Sequence, residues 1–271
     1  MKKTIYFLLF LLLSPFAMLV AQDDTTVVAG HQVVTLGSDG RELSKGVADS
    51  LYAKEQYRSA ADIYERLLAD EGEAPAVYYN LGNAYYRLGM YAKAILNYER
   101  ALLLAPSDED VKTNLALAYS KTVDKYEDEG AMFYTRWFDG LKHAMSSDAW
   151  AWLAASSFIA FLLFLSLYIW GKRVLLKKVG FYCCLVCFLV SVVGNVCAFS
   201  QRSDILAEDH AVIMVPSITV KSTPSDGGTA LFVIHEGYKV NVRDKSMKDW
   251  VEISISAEQS GWVPRSSLEI I

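Results

Sequence analysis

Outside one apolar stretch, the sequence contains no cysteine. The four cysteines of the 271-residue chain all fall within residues 179–199, and they are Cys183, Cys184, Cys187 and Cys197. The rest of the chain therefore has no thiol for a disulfide, a metal site or a nucleophile. Cys184 and Cys187 have the spacing of redox and zinc motifs, but an apolar helix lacks the water and companion ligands that such sites need. The cysteines are interpreted as small packing residues.

Histidine is scarce as well, and acidic residues outnumber basic ones by 31 to 26. The chain has only four histidines, His31, His143, His210 and His235, none at the spacing of a two-histidine zinc site. The sequence has no glycine-rich phosphate loop and no nucleophile elbow. The net charge of -5 excludes a broadly basic domain for nucleic acid. These absences predict a protein that is not an enzyme, holds no cofactor or metal, and has no nucleic-acid partner.

Long apolar runs are abundant, in keeping with an apolar content of 53%. The first run follows Lys2 and Lys3 and ends at Ala21, which is the layout of a secretory signal peptide. Residues 1–21 are therefore predicted to direct export, and residues 22–40 to form a linker. If the signal peptide is not cleaved, it stays as an anchor with its lysines inside, and the chain after it is still exported.

Two further apolar runs, residues 149–170 and 179–199, predict a pair of transmembrane helices. The first has no charged residue, and at about 1.5 Å per residue it spans roughly 33 Å, enough for a hydrocarbon core of about 30 Å. The loop between the runs, residues 171–178, has four basic residues and no acidic one, which predicts a cytoplasmic loop. Both water-facing parts of the chain are then periplasmic, and the protein is a two-span bacterial inner-membrane protein. The basic residues are Lys172, Arg173, Lys177 and Lys178.

Small or polar residues interrupt the second run. These residues are predicted to pack against the first helix, since small side chains allow membrane helices to approach closely. They are Gly180, Ser191, Gly194 and Asn195.

The segment after the linker repeats itself at an offset of 34 residues. Two sets of residues recur at this offset. The first set is Tyr57, Ala60, Tyr64, Glu65, Arg66 and Leu68, which recur as Tyr91, Ala94, Tyr98, Glu99, Arg100 and Leu102. The second set is Asn80, Leu81, Ala84 and Tyr85, which recur as Asn114, Leu115, Ala118 and Tyr119. The offset predicts repeat units at residues 41–74 and 75–108 and a capping helix at 109–123. Glu65 and Glu99 occupy equivalent positions beside arginines, so they are interpreted as solvated surface and not as a carboxylate pair.

These repeats resemble the tetratricopeptide repeat. The middle unit fills the family pattern at the right spacing with Tyr78, Leu81, Gly82, Tyr85, Ala94, Tyr98, Ala101 and Pro106. Gly82 and Ala94 allow the two helices of one hairpin to approach closely, and Pro106 ends the second helix. The first unit departs from the pattern at Ala48, Leu51 and Gly72.

The resemblance implies an all-α solenoid whose first helices line a concave groove. The groove residues are predicted to be Lys45, Asp49, Tyr52, Tyr79, Asn83, Tyr86, Arg87, Ser120 and Lys121. Their mixed polarity suits a peptide, and Asn83 with its neighbouring cations suits a carboxylate. The alternative, a solvated face without a ligand, stays open because a fold does not fix a function.

Residues 124–148 begin with a run of charges and continue with apolar residues near helical spacing. Trp137 and Phe138 in this run predict a helix that lies along the membrane surface. The segment is therefore expected to act as a linker that holds the repeats close to the membrane.

From residue 205 to residue 271 the pattern changes to short alternating runs, which predict five or six strands in a small all-β barrel. This segment resembles the bacterial SH3 domain at Pro224, Glu236-Gly237, Asp249-Trp250-Val251 and Gly261-Trp262-Val263. Trp250 and Trp262 are either core residues of the barrel or part of an aromatic surface groove. The resemblance implies binding to peptidoglycan.

The order of these parts, namely signal peptide, repeats, two spans and SH3-like domain, resembles the BatE-like proteins of the Bacteroides aerotolerance group. This resemblance implies a multidomain membrane scaffold in a complex with Bat proteins that carry von Willebrand factor A domains, linked to oxygen or stress tolerance. The alternative is a cell-envelope anchor that binds peptidoglycan through the SH3-like domain. A transmembrane sensor is disfavoured because the predicted cytoplasmic loop is too short to be an output domain.

Overall fold

The computed structural model describes residues 35–36, 42–124, 133–256 and 259–271. The predicted signal peptide, residues 1–21, lies outside the described residues, and so does most of the predicted linker. A two-stranded hairpin, β1 (Thr35–Leu36) and β2 (Glu42–Leu43), precedes the repeats.

The repeat region consists of short helices that pack consecutively in antiparallel pairs. They are α1 (Lys45–Ala53), α2 (Tyr57–Glu71), α3 (Pro75–Arg87), α4 (Tyr91–Leu104) and α5 (Glu109–Tyr119). The local sequence explains several of the ends. Ser44 and Asp108 cap α1 and α5 by accepting hydrogen bonds from backbone N–H groups of the first turn. Proline follows α4 at position 106, and Pro75 is the first residue of α3.

Gly82 shows why the middle hairpin closes tightly. A Cβ at this position would lie 2.6 Å from Cε1 of Tyr98, so only glycine lets α3 reach the ring on α4. Gly82, Ala94 and Tyr98 are all buried, as the repeat pattern predicts.

The apolar region follows a short helix, α6 (Phe133–Lys142), and consists of α7 (Ser147–Trp170) and α8 (Val174–Ala207). Both α7 and α8 are long and apolar enough to cross a membrane. Only three residues separate α7 from α8, so the predicted loop at residues 171–178 is shorter than expected. Lys177 and Lys178 belong to α8 and not to the loop, in keeping with the good general helix propensity of lysine.

Small residues form the contact between α7 and α8. A Cβ on Gly194 would lie 3.1 Å from Cβ of Ala154, and Oγ of Ser191 donates a hydrogen bond to the backbone oxygen of Ala154 at 3.1 Å. Gly180 is buried in the same contact. The prediction for Asn195 is wrong: this residue is exposed, and its Nδ2 donates to the backbone oxygen of Ser191 in its own helix.

The C-terminal region is an antiparallel sheet of seven strands in the order β5-β4-β8-β7-β6-β3-β9. The strands are β3 (His210–Ile213), β4 (Ser217–Lys221), β5 (Ala230–His235), β6 (Lys239–Asp244), β7 (Trp250–Ser254), β8 (Ser260–Pro264) and β9 (Leu268–Ile270). The sequence pattern did not predict β9. The prediction of a closed barrel is not confirmed, because the sheet is open with β5 and β9 at its edges.

The repeat region pairs with one backbone polar group at each open edge of the sheet. Arg100 on α4 donates a hydrogen bond to the backbone oxygen of Ile270 in β9 at 2.7 Å. Asp124 accepts a hydrogen bond from the backbone N–H of His235 at the end of β5 at 2.8 Å. Val212 of β3 lies in the hydrophobic core of the repeats. The sheet and the repeats are therefore packed directly against each other.

Candidate functional site

The candidate site is a groove between the first helices of the repeats, α1, α3 and α5. It consists of two adjoining cavities of about 220 and 160 Å³ that share Tyr52 and Asn83 in their linings. The larger is lined by Asp49, Tyr52, Tyr64, Asn80 and Asn83, and the smaller by Tyr52, Asn83, Tyr86, Arg87, Tyr98, Asn114 and Leu117. Five of the predicted groove residues thus line these cavities.

A hydrogen-bonded triad occupies the first part of the groove. Oδ1 of Asp49 accepts a hydrogen bond from Oη of Tyr64 at 2.5 Å and one from Nδ2 of Asn80 at 3.0 Å. Lys45 forms an ion pair with the other carboxylate oxygen at 2.9 Å. Burial alone would raise the pKa of Asp49, but the hydrogen bonds from Tyr64 and Lys45 outweigh it and lower the pKa. Asp49 is therefore held as a carboxylate.

The second part of the groove repeats this triad 34 residues later, with an amide in place of the carboxylate. Oδ1 of Asn83 accepts hydrogen bonds from Oη of Tyr98 at 2.7 Å and from Nδ2 of Asn114 at 2.9 Å. Asn114 also donates to Oη of Tyr79 at 3.0 Å. Because Oδ1 takes both internal bonds, the amide of Asn83 is fixed in one orientation. Within the described residues its Nδ2 has no hydrogen-bond acceptor, so the groove offers this group as a donor.

The aromatic contacts of the groove also recur at the 34-residue offset. Tyr52 packs edge-on against Tyr57 with ring centroids 5.1 Å apart, and Tyr86 packs in the same way against Tyr91 at 5.6 Å. The guanidinium of Arg87 lies 4.8 Å from the ring centroid of Tyr57, within range of a cation–π interaction. Burial raises the pKa of Tyr52, so its hydroxyl stays protonated at neutral pH.

Four of the predicted residues line neither cavity, and one of them is Lys45, which pairs with Asp49. Ser120 and Lys121 are exposed at the end of α5 and line neither cavity. Tyr79 accepts a hydrogen bond from Asn114, and its ring centroid lies 6.2 Å from that of Tyr98.

The predicted groove residues do not include Leu117, which is 49% exposed and lines the smaller cavity. The 34-residue offset carries the information needed to find it, since Asp49, Asn83 and Leu117 are equivalent positions. The groove therefore changes along its length from an acidic position, through an amide, to an apolar one.

Trp250 and Trp262 lie on the outer face of the sheet. They alternate along β7 and β8 with the buried residues Val251 and Val263, which form the core. The ammonium nitrogen of Lys221 lies 5.4 Å from the ring centroid of Trp250, and Lys221 pairs with Trp262 across β4 and β8. Both tryptophans are half-buried and lie outside the hydrophobic core of the sheet.

Charged residues join the repeats to the sheet, and Glu99 is one of them. Its Oε2 lies 2.7 Å from Nζ of Lys239 in β6, and its Oε1 accepts a hydrogen bond from Tyr119 at 2.7 Å. The side chain is only 11% exposed, so the interpretation of Glu99 as solvated surface is wrong. The equivalent residue, Glu65, is exposed but accepts a hydrogen bond from Tyr85.

Comparison with known proteins agrees with the repeat geometry. The tetratricopeptide repeat family matches residues 75–108, which are the bounds predicted for the middle unit. Two curated proteins, both named "Tetratricopeptide repeat protein 16", from Macaca fascicularis and Homo sapiens, are each 31% identical over 70 residues. The aligned segment covers 26% of this chain and only 8% of the length of those relatives. Residues 75–108 of this chain are thus a tetratricopeptide repeat, a motif typical of non-catalytic protein–protein interaction.

Proposed function

We propose that this protein is a membrane-anchored, non-enzymatic adaptor whose groove binds an extended peptide segment of a partner protein. The observation that carries the proposal is the fixed amide of Asn83, whose Nδ2 is available beside exposed Arg87. The backbone carbonyl oxygens of an extended peptide accept hydrogen bonds from such donors. The carboxylates of the peptide, including the one at its C-terminus, accept them as well. The tyrosines supply large contact surfaces with few rotatable bonds, which limits the entropy lost on binding.

The proposed anchor is the pair α7 and α8, inserted with its basic tip in the cytoplasm of a bacterial inner membrane. The repeats and the sheet then lie on the same side, the periplasm. Direct contact between them supports this topology, because domains on opposite sides of a bilayer cannot share the ion pair of Glu99 and Lys239. Export would be directed by the proposed signal peptide at residues 1–21, and α6 would hold the repeats close to the membrane surface.

The proposed partners are membrane or periplasmic proteins, and in particular Bat proteins with von Willebrand factor A domains. The order of repeats, spans and C-terminal sheet resembles that of BatE-like proteins and supports a role in a complex for oxygen or stress tolerance. In this proposal the sheet is an open variant of the bacterial SH3-like fold.

The groove is tested by co-purification of the full chain with a von Willebrand factor A partner from the same genome. Asn83→Asp keeps the oxygen that accepts from Tyr98 and Asn114 but removes the free donor, so the variant should fold normally and lose the partner. The exposed residue Arg66 on α2 supplies a matched control, and Arg66→Ala should retain the partner. If Asn83→Asp and Arg87→Ala both retain the partner in full, the groove proposal is wrong.

Membrane topology is tested separately with reporter fusions. Reporters placed after Asp124 and after Ile271 should both be active only in the periplasm. Opposite locations for the two reporters would contradict the proposed arrangement.

The second candidate function is a cell-envelope anchor, which the outer face of the sheet supports. Trp250, Trp262 and Lys221 together form an aromatic and cationic surface of the kind that binds sugars and peptides by stacking and charge. The full chain should then sediment with purified peptidoglycan sacculi, and Trp262→Ala should release it while Asn83→Asp does not. Failure of the chain to sediment with sacculi would leave the adaptor as the sole proposal.

A further inference from the structure

The tip of the helical pair carries four positive charges that no acidic side chain neutralises in the part of the chain that the structure describes. The four basic residues of the tip are all exposed, and within the described residues none of them forms an ion pair. They are Lys172, Arg173, Lys177 and Lys178. The sequence has no aspartate or glutamate between Asp148 and Asp204. Asp148 lies in the first turn of α7, about 33 Å from the tip at about 1.5 Å per residue. Since no described acidic residue lies at the tip, an anionic group of another molecule can supply the counter-charge.

A tight turn concentrates the four cations. A Cβ on Gly171 would lie 2.5 Å from the backbone oxygen of Leu167, so glycine allows the chain to reverse immediately after α7. Arg173 and Lys177 are four residues apart at the start of α8, a spacing that brings side chains to the same side of a helix. The four charges consequently lie at one end of the pair and not along its length.

Apolar side chains lie between and beside the cations. Trp170 is 75% exposed, and Val174 and Leu175 are each 71% exposed. In water, this much apolar surface beside four charges would be unfavourable. At the boundary of a bilayer, the apolar side chains reach acyl chains while the lysines and the arginine extend toward the headgroups.

We infer that this tip is a binding surface for anionic phospholipids, and the inference rests on the membrane placement in the proposed function. The cations contact the headgroup phosphate, which the guanidinium of Arg173 binds through two parallel hydrogen bonds. Val174, Leu175 and Trp170 contact the acyl chains of the same lipids. The combination favours a lipid over a free phosphate or a nucleic acid, because neither of these has an acyl chain to cover the apolar residues.

The experiment is native mass spectrometry of the purified full chain in detergent, titrated with phosphatidylglycerol and, separately, with phosphatidylcholine. Phosphatidylglycerol should bind more tightly, and removal of each cation should weaken its binding about fivefold. Lys177→Gln with Lys178→Gln should then weaken it roughly 25-fold. If removal of all four tip cations prevents insertion, this double variant still tests the inference.

A control variant removes four exposed cations from elsewhere in the chain: Lys54→Gln, Arg58→Gln, Arg202→Gln and Lys248→Gln. It has the same net charge as the fourfold tip variant and should keep the affinity of the unmodified chain. Asn83→Asp should also leave lipid binding unchanged, so a failure of the groove proposal is distinguishable from a failure of this one.

Two results would overturn the inference. One is equal affinity of the double tip variant and the control variant for phosphatidylglycerol. The other is full competition by an equal concentration of glycerol phosphate, which would assign the tip to free phosphate and not to lipid. Retention of phosphatidylglycerol by the unmodified chain in excess glycerol phosphate is the result that supports a lipid surface.

Discussion

Nζ of Lys239 in the sheet lies 2.7 Å from Oε2 of Glu99 on α4, and both side chains are largely buried. The pair joins the repeats to the sheet, and its two residues are 140 positions apart in the sequence. With the contacts of Arg100 and Asp124, it makes the repeats and the sheet one packed unit. The groove and the aromatic face of the sheet are therefore held at fixed positions relative to each other.

Lys239→Met should destabilise this boundary. The substitution removes the cation but keeps most of the side-chain volume, so the Glu99 carboxylate is left with Tyr119 as its partner. A partly buried charge that loses its partner costs about 1–3 kcal/mol. Thermal unfolding of the full chain in detergent should shift to lower temperature, whereas Lys248→Met, at an exposed residue, should not shift it. Equal melting temperatures for the two variants would show that the pair does not stabilise the boundary.

Gly237→Ala should disrupt the same boundary for a steric reason. Gly237 has a φ of 82°, and an added Cβ would lie 2.6 Å from Cγ2 of Thr122 in the repeat region. Gly89 has a similar φ of 75° with open space around it, so Gly89→Ala measures the backbone strain alone, about 1–2 kcal/mol. Chemical unfolding should show a larger loss for Gly237→Ala than for Gly89→Ala. If the two losses are the same, the contact with Thr122 adds nothing to stability.

The repeat was predictable from the sequence because its packing is local and periodic. Residues 75–108 fill a pattern in which each position contacts a neighbour one helix away, and a period of 34 residues reports those contacts directly. The same period relates Asp49 to Asn83 and Tyr64 to Tyr98, but it does not reveal the hydrogen bonds between them. Those bonds depend on how the two helices of each hairpin are rotated.

Contacts between residues that are far apart in the sequence produce no periodic pattern. Glu99 was misinterpreted because its partner is 140 residues away, and a surface glutamate and an interface glutamate look the same in a sequence. The open sheet was missed for a related reason. Alternation predicts strands and which face is buried, but a closed barrel was assumed to hide the edges that the repeat region contacts through Arg100 and Asp124.

The boundary should weaken in acid because of His210. Burial lowers the pKa of its imidazole from the ordinary value of 6.5, and the nearby ammonium of Lys239 lowers it further, while Asp209, Glu99 and Asn241 partly oppose this. The folded chain then favours neutral His210, so this contribution to stability is complete above about pH 6.5 and is lost as the pH falls toward the lowered pKa.

The measurement is thermal unfolding of the full chain and of His210→Gln between pH 7.5 and pH 5. The unmodified chain should lose more stability on acidification than the variant, since glutamine does not titrate. An identical loss for both proteins would assign the pH dependence to other groups.

Gly194→Leu should separate the two apolar helices. An added side chain would meet Cβ of Ala154 at 3.1 Å and the backbone oxygen of Trp150 at 3.2 Å, and the helix backbone cannot move away without losing the hydrogen bond from Ser191. Overpacking of this kind costs about 1–3 kcal/mol. The next residue, Asn195, is exposed, so Asn195→Leu introduces the same side chain one position along α8 at a site that is not buried. Unfolding in detergent, followed by the fluorescence of buried tryptophan, should show a lower midpoint for Gly194→Leu than for Asn195→Leu. Equal unfolding midpoints for the two variants would mean that the exposed face of α8 contributes as much to stability as its contact with α7. Close packing at Gly194 would then not be what stabilises the helix pair.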